Sequence, residues 1–499
     1  MTSSYGQILK SSSIIGGAQA LTVLISMVRI KAVAIILGPT GLGLIGIYTT
    51  AVDFVAIISG MGIGNSAVRD IAEAHASGND ERVSRSVKAL RRTCWITGLL
   101  GWVLTALFAW PLSLWAFGSG KQAWILAILG ATILLGAISS GQAALLQGRR
   151  RIGDLARINV ISVTLSTIIS IALYTWLRER GIVPVLLVSG SITLLTSWWY
   201  ARKVDCTNIE LTWKESWPDA KRLVHLGLAF MWSGLLLTGA TLVTRTWIIR
   251  EFGLDANGIY QAAWSLSGMF AGFIIGAMGT DFYPRLTAAS QNDAQVNQLV
   301  NEQTEIGILL ALPGLLGSLS FAPWVMQLFY SQKFLPGAQL LPWFVLGVFG
   351  KVISWPMAFI MVAKGESRLF AISETIFTVL YLALIISLVR TIGLWGSALA
   401  FAILYLTYTI GAYCIAHRMT GFEWNRATIK LIFTSIALIA AGFAVQKYLS
   451  GSPRYFIGGL LTVITSIYAL RGIVARLGPE HRIISMACKI PGGKRICGI

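Results

Sequence analysis

The chain has 499 residues, 55% of them hydrophobic and 12% charged, with a formal net charge of +19 and a mean hydropathy of +0.70. A globular domain carries roughly 25% charged residues, so this composition excludes a soluble domain of any size. In lipid the basic excess marks the faces of a membrane and is no sign of nucleic-acid binding.

A bilayer core of roughly 30 Å takes about 20 apolar residues of helix. Windows of that length predict six spans at 12–37, 41–64, 93–117, 122–147, 158–177 and 181–200. Six more follow at 226–249, 258–280, 306–330, 338–362, 370–389 and 393–416, and a final pair at 428–449 and 455–474. The expected fold is therefore an all-α polytopic membrane protein of about fourteen transmembrane helices. The runs are continuous, whereas barrel strands alternate in polarity over about ten residues. The first run carries no small-residue cleavage site at the end of a short core and reads as a retained helix.

The starts of the first six spans and of the next six differ by 212–217 residues. This spacing predicts a duplicated unit, with a first lobe at 1–215, a second at 216–420, two further helices at 421–475 and a basic tail at 476–499. At a shift of 215, Gly38, Gly43 and Gly64 fall on Gly253, Gly258 and Gly279. Because each unit has an even number of spans, the halves enter from the same side and form a parallel repeat, an architecture typical of transporters.

Of the 40 lysines and arginines, 28 flank the spans on the side of both termini and 8 lie on the other. The positive-inside rule places both termini in the cytoplasm. All five cysteines, Cys94, Cys206, Cys414, Cys488 and Cys497, then fall at or near the reducing side, and no disulfide is expected. The longer inner segments place Val83, Val87 and Leu90 between Arg82, Arg85 and Lys88, a pattern expected to lie along lipid headgroups. Prolines at 313, 323, 342 and 356 predict bends in the ninth and tenth helices.

Enzymatic constellations are not found: the four histidines sit in inner loops, and neither paired carboxylates nor a His/Cys metal spacing occurs. No catalytic residue, metal or cofactor is expected. Gly60, Gly62 and Gly64, and likewise Gly268, Gly272 and Gly276, lie in apolar spans and read as packing faces. The informative residues are the ionisable ones within spans, each costing roughly 2.5–3.5 kcal/mol to insert. These are Arg29, Lys31, Asp53, Arg245 and Lys351, with Glu374 one turn inside its helix. At about 1.5 Å per residue, Arg29 lies roughly 13 Å and Asp53 roughly 18 Å below the outer surface, depths that allow them to pair. Four cations against one deep anion point to an anionic substrate, although Arg29 and Lys31 also read as snorkelling outward.

Two segments carry a family resemblance. LGPTGLGLIGIY at 37–48, and 253–289 with its Gln261-Ala262 pair, Trp264 and closing Tyr283-Pro284-Arg285-Leu286, resemble the Wzx-type flippases of bacterial polysaccharide synthesis. Those proteins belong to the multidrug/oligosaccharidyl-lipid/polysaccharide exporter superfamily, and the likeness runs over about residues 1–416. It implies two six-helix lobes that open alternately across the bacterial inner membrane. It also implies an undecaprenyl-pyrophosphate-linked oligosaccharide as substrate, moved to the periplasmic leaflet for O-antigen or exopolysaccharide synthesis. Expected partners are that substrate, membrane lipids, and the polysaccharide polymerase with its chain-length machinery. Arg29, Lys31, Arg245 and Lys351 become the candidates for attracting the pyrophosphate, and Asp53 for orienting or gating them. The last two helices depart from many such proteins; lipid II flippases use a similar pair as a groove for the lipid tail. A multidrug exporter of the same superfamily is the runner-up. A membrane-embedded polymerase or ligase would need a long external loop, which the sequence lacks.

Overall fold

The computed structural model describes residues 4–76, 80–149, 151–204 and 212–477. Among them every regular element is helical. The first half runs α1 (Ser4–Gly60), α2 (Ile63–Ala76), α3 (Asp80–Leu107), α4 (Ala109–Phe117), α5 (Ala123–Leu129), α6 (Ala131–Gly148), α7 (Ile152–Leu177) and α8 (Ile182–Ala201). The second runs α9 (Trp213–Ala288), α10 (Asp293–Ser320), α11 (Ala322–Phe329), α12 (Leu341–Ala363), α13 (Ser367–Ile392), α14 (Gly396–Thr420), α15 (Arg426–Tyr448) and α16 (Gly451–Leu477). Cys206, Cys488, Cys497 and the tail from 478 onward lie outside the described residues.

Against about fourteen expected spans, eight helical stretches among the described residues are long and apolar enough to cross a membrane as continuous runs. The number is ten if two pairs bent at short breaks, α3 with α4 and α10 with α11, each count as one. The reason is continuity. Leu21–Gly60 and Ile152–Ala201, 40 and 50 residues long, each cover two expected spans, while those expected at 226–249 and 258–280 lie in α9, outside the candidate set. The breaks inside α1 and α9 are single glycines, Gly38 (φ 67°, ψ −166°) and Gly253 (φ 84°, ψ −179°). That backbone region is essentially reserved for glycine. The two breaks stand 215 residues apart, the shift expected from the sequence.

The chain divides into two compact units, Met1–Gly258 with Phe329–Ser331, and Ile259–Leu328 with Gln332–Ile499. The start of α9 belongs to the first unit because it runs antiparallel along the second half of α1 with glycine at the contacts. A Cβ on Gly227 would sit 2.0 Å from the Met61 carbonyl oxygen, while Gly234 faces Ile57 and Gly239 faces Phe54. At the other end a Cβ on Gly258 would sit 1.9 Å from the Pro39 carbonyl oxygen, and one on Gly43 would sit 2.3 Å from that of Leu254. There Asn257 Nδ2 donates to the Gly43 carbonyl at 2.9 Å and the Thr40 hydroxyl donates to the Asp255 carboxylate. Small residues let helix backbones approach closely, which is how membrane helices gain contact without a hydrophobic driving force. Packing accounts for Gly62 and Gly64 in the same way, but a Cβ on Gly60, Gly268 or Gly272 would meet nothing within 4 Å. Those three are not packing faces; Gly276 lies outside the residues whose surroundings are described.

The inner segment expected along the headgroups is buried in protein instead. Val83, Val87 and Leu90 are at most 3% exposed and form one cluster with Ile63, Ala67, Ile71 and Leu145. An amphipathic face serves lipid or protein equally well, and here α2 and α6 supply the cover. In the second unit α15 and α16 pack on α10, with Gly442 against Leu316 and Leu319, Gly458 against Ser320 and Gly472 against Leu309. Glu305 of α10 fastens both: Thr428 donates to it at 2.7 Å and Arg476 pairs with its other oxygen. Of the prolines, 313 and 356 lie inside helices, 323 sits beside the 87° bend between α10 and α11, and 342 opens α12. Proline at a first helical turn removes no hydrogen bond, so Pro342 starts a helix and bends none.

Candidate functional site

Each unit carries its own intramembrane charged group. In the first, the second half of α1, α3 and α6 together with α9 enclose a cavity of about 560 Å³. Its polar lining comes from Asp53, Ser59, Thr97, Thr132 and Ser140, and Gly60, Gly62, Gly136 and Gly234 leave the room for it. Asp53 is exposed toward this space. Arg245 of α9, only 5% exposed, lies within electrostatic range of Asp53. Of the residues singled out in the sequence, Arg245 is therefore the electrostatic neighbour of Asp53.

Arg29 forms no ion pair with Asp53. It is half-buried, and its electrostatic neighbour is the buried Tyr174 phenol of α7. Depth along two helices fixes height but not direction around the axis, so the expected Arg29–Asp53 contact fails while both depths stand. Lys31 is half-buried on the same helix.

The second unit holds Lys351 on α12. Its ammonium lies 5.8 Å from the centre of the Tyr405 ring and within reach of the Glu374 charge. Tyr408, three residues after Tyr405 on α14, donates from its hydroxyl to Glu374 Oε1 at 2.6 Å. The rings continue as a ladder: Tyr405 to Phe401 at 4.8 Å, then Phe401 to Trp264 at 4.9 Å. A cation near an aromatic face is stabilised by the ring quadrupole. Lys351 therefore sits between an aromatic and a carboxylate where hydrocarbon alone would reject it.

Each of these cations thus has a counter-charge or a phenol within electrostatic range: Asp53 for Arg245, Glu374 for Lys351 and Tyr174 for Arg29. Sequence reasoning missed Tyr174, Tyr405 and Tyr408, and set Glu374 aside as peripheral. The available signal was a pair of tyrosines at i and i+3 in an otherwise apolar span, whose hydroxyls need partners in lipid. An exposed carboxylate lining a cavity, with a buried arginine within electrostatic range, is an arrangement that can hold a charged group.

Comparison with known proteins places the chain as a whole. The family model described as "Polysaccharide biosynthesis protein" matches residues 32–339. The chain is 23% identical over 396 residues to the lipid III flippase of Escherichia coli K12, covering 76% of this chain and 90% of that one. Among solved structures, the lipid II flippase MurJ in an inward closed conformation superposes with a TM-score of 0.66 at 15% identity, covering 93% of this chain and 99% of that one. An inward-facing multidrug transporter of the MATE family superposes with a TM-score of 0.67 at 17% identity, covering 82% and 96%. Both structures share the fold. With its family model spanning more than half of its length, and in keeping with the resemblance in its own sequence, this multi-pass membrane protein belongs to the polysaccharide biosynthesis family.

Proposed function

We propose that the chain is a flippase that carries an undecaprenyl-pyrophosphate-linked oligosaccharide repeat unit from the cytoplasmic to the periplasmic leaflet of the bacterial inner membrane by alternating access. The observation that carries this reading is the buried Arg245 within electrostatic range of Asp53, which lines a cavity among the apolar helices of the first unit. A pyrophosphate of about −2 cannot enter hydrocarbon bare, so cations must replace its water. Arg245 and Lys351 are the groups best held for that role, with Arg29 and Lys31 as the outer members of the set. Asp53 and Glu374 keep the two deep cations compensated while no substrate is bound, and an arriving pyrophosphate competes with them. Moving the charge outward runs with an inside-negative potential worth about 2.3 kcal/mol per charge per 100 mV.

The same proposal includes fourteen spans, termini in the cytoplasm, two six-helix lobes and a C-terminal pair. The larger share of the chain matched by the lipid II flippase fold than by the multidrug transporter fold, about a tenth of its length, corresponds to segment 421–475 in size. The polymerase and chain-length machinery take the product.

The test is translocation of a fluorescent lipid-linked repeat unit in proteoliposomes. Arg245→Ala and Lys351→Ala should abolish it while the protein still inserts and accumulates. Normal transport by both variants would mean that these residues are structural. A second reading, a multidrug exporter, is favoured by the exposed Asp53 carboxylate, which suits a cationic drug. Efflux of a cationic dye that depends on Asp53, without lipid translocation, would establish that reading instead.

A further inference from the structure

A second cavity lies in the first unit, on the other side of α3 from Asp53. About 800 Å³ in volume, it is formed by α3, α6 and α8, and Cys94 of α3 lines both cavities. Its chemistry differs from that of the first. Its walls away from the arginines are apolar, with Leu134, Leu135, Ile138 and Leu195 among them. The amide of Gln142, which lines it, accepts a hydrogen bond from the buried Ser197 hydroxyl behind the wall. Trp95, Leu195 and Trp198 are each about half exposed or more, so the groove opens away from the protein interior.

Charge is confined to one end. Arg91, near the start of the α3 span, and Arg202, just past the end of α8, both line the mouth. They reach the same end because α3 and α8 run in opposite directions. The Arg202 guanidinium stacks over two indoles, 3.6 Å from the Trp199 ring centre and 4.9 Å from that of Trp198. Neither arginine has a carboxylate partner among the described residues. A long apolar slot capped by two arginines and ringed by interfacial tryptophans has the polarity profile of an anionic diacyl lipid. Basic pockets between membrane helices bind such headgroups, and tryptophan sits at headgroup level.

We propose that this groove is a binding site for an anionic phospholipid of the phosphatidylglycerol type, with its phosphate on Arg91 and Arg202 and an acyl chain along Leu134, Leu135, Ile138 and Leu195. The site is separate from the Asp53 cavity and does not rest on the transported substrate being a polyprenyl pyrophosphate. Because Cys94 and α3 form the wall between the two cavities, lipid in the groove supports one side of the cavity that holds Asp53.

The experiment uses the purified full-length protein in phosphatidylcholine vesicles doped with diazirine-tailed phosphatidylglycerol, or with diazirine-tailed phosphatidylcholine of the same chains. After irradiation, labelled peptides are located by mass spectrometry. Phosphatidylglycerol should label segments 134–145 and 194–204 at least tenfold more than phosphatidylcholine. Each arginine near the surface contributes about fivefold in affinity. Arg91→Gln or Arg202→Gln should therefore lower labelling about fivefold at sub-saturating lipid, and the double variant about 25-fold. Arg418→Gln, an exposed arginine of the second unit, should leave it unchanged. Equal labelling by the two lipids would overturn the proposal, as would equal labelling of wild type and double variant. Displacement of phosphatidylglycerol by an equal mole fraction of undecaprenyl phosphate would also overturn it, by assigning the groove to a polyprenyl tail. The wild-type contrast between the two lipids decides the question even if the double variant fails to fold.

Discussion

Gly258→Ala tests the seam where the two glycine-broken helices cross. A methyl group there would stand 1.9 Å from the Pro39 carbonyl oxygen, 2.6 Å from its carbon and 2.9 Å from its Cα. An ordinary carbon–oxygen contact is about 3.3 Å, so the backbones of α1 and α9 must part by roughly 1.4 Å. The obstruction is backbone and cannot rotate away. That separation takes the 2.9 Å bond from Asn257 to the Gly43 carbonyl past about 3.5 Å, beyond hydrogen-bonding range, and strains the Thr40–Asp255 bond beside it. Overpacking costs about 1–3 kcal/mol, and each hydrogen bond lost in a low dielectric adds about 1 kcal/mol, for a total of about 2–5 kcal/mol against the closed seam. The assay pairs thermal unfolding of the purified protein with polymer export in cells. The unfolding midpoint should fall and export should drop at least tenfold. Gly43→Ala, whose Cβ would meet the Leu254 carbonyl oxygen at 2.3 Å, should behave alike, and Gly153→Ala, whose Cβ would meet nothing within 4 Å, should match wild type. A Gly258→Ala protein with an unchanged midpoint and full export would refute the reasoning, because no relaxation of side chains alone relieves the clash.

Other expectations follow from the charged groups. Asp53→Ala should lower protein accumulation more than Asp53→Asn, and Arg245→Gln combined with Asp53→Asn should restore accumulation without transport, since a buried cation left alone costs several kcal/mol; additive single effects would show that the two residues do not couple. Tyr408→Phe removes one hydrogen bond to Glu374, about 1 kcal/mol, and should lower lipid-linked sugar transport up to tenfold at normal accumulation; unchanged transport would make the Lys351–Glu374 group structural. Glu305→Ala removes the carboxylate that holds Thr428 and Arg476 and should destabilise the docking of α15 and α16 by roughly 1–3 kcal/mol, read as earlier proteolysis between α14 and α15; equal protease resistance would refute that role. Cysteines placed at Lys121, Lys333 and Arg390 should react with an impermeant reagent in intact cells, and one at Arg418 should not; the reverse pattern would invert the orientation.

The sequence alone determined that this chain lives in lipid, that it is helical, and that spans and glycines repeat at a shift of 215 residues, because bilayer thickness acts on each segment locally. It also marked Arg29, Lys31, Asp53, Arg245 and Lys351, since a charge in an apolar span is costly wherever the helix is later placed. It did not determine what those residues meet. Partnership depends on how each helix is rotated and which neighbour it faces, and residues far apart in the chain leave no local trace of that choice. Glycines at 227, 234 and 239 lay α9 along the half of α1 that carries Asp53, and this brings Arg245 within electrostatic range of it. The apolar face of Val83, Val87 and Leu90 gave no means of telling lipid from protein, and only packing against α2 and α6 decided it. Tertiary structure alone made Tyr174, Tyr405 and Tyr408 part of the site, because a hydroxyl in a span acquires a role only when another helix brings a charge within its reach.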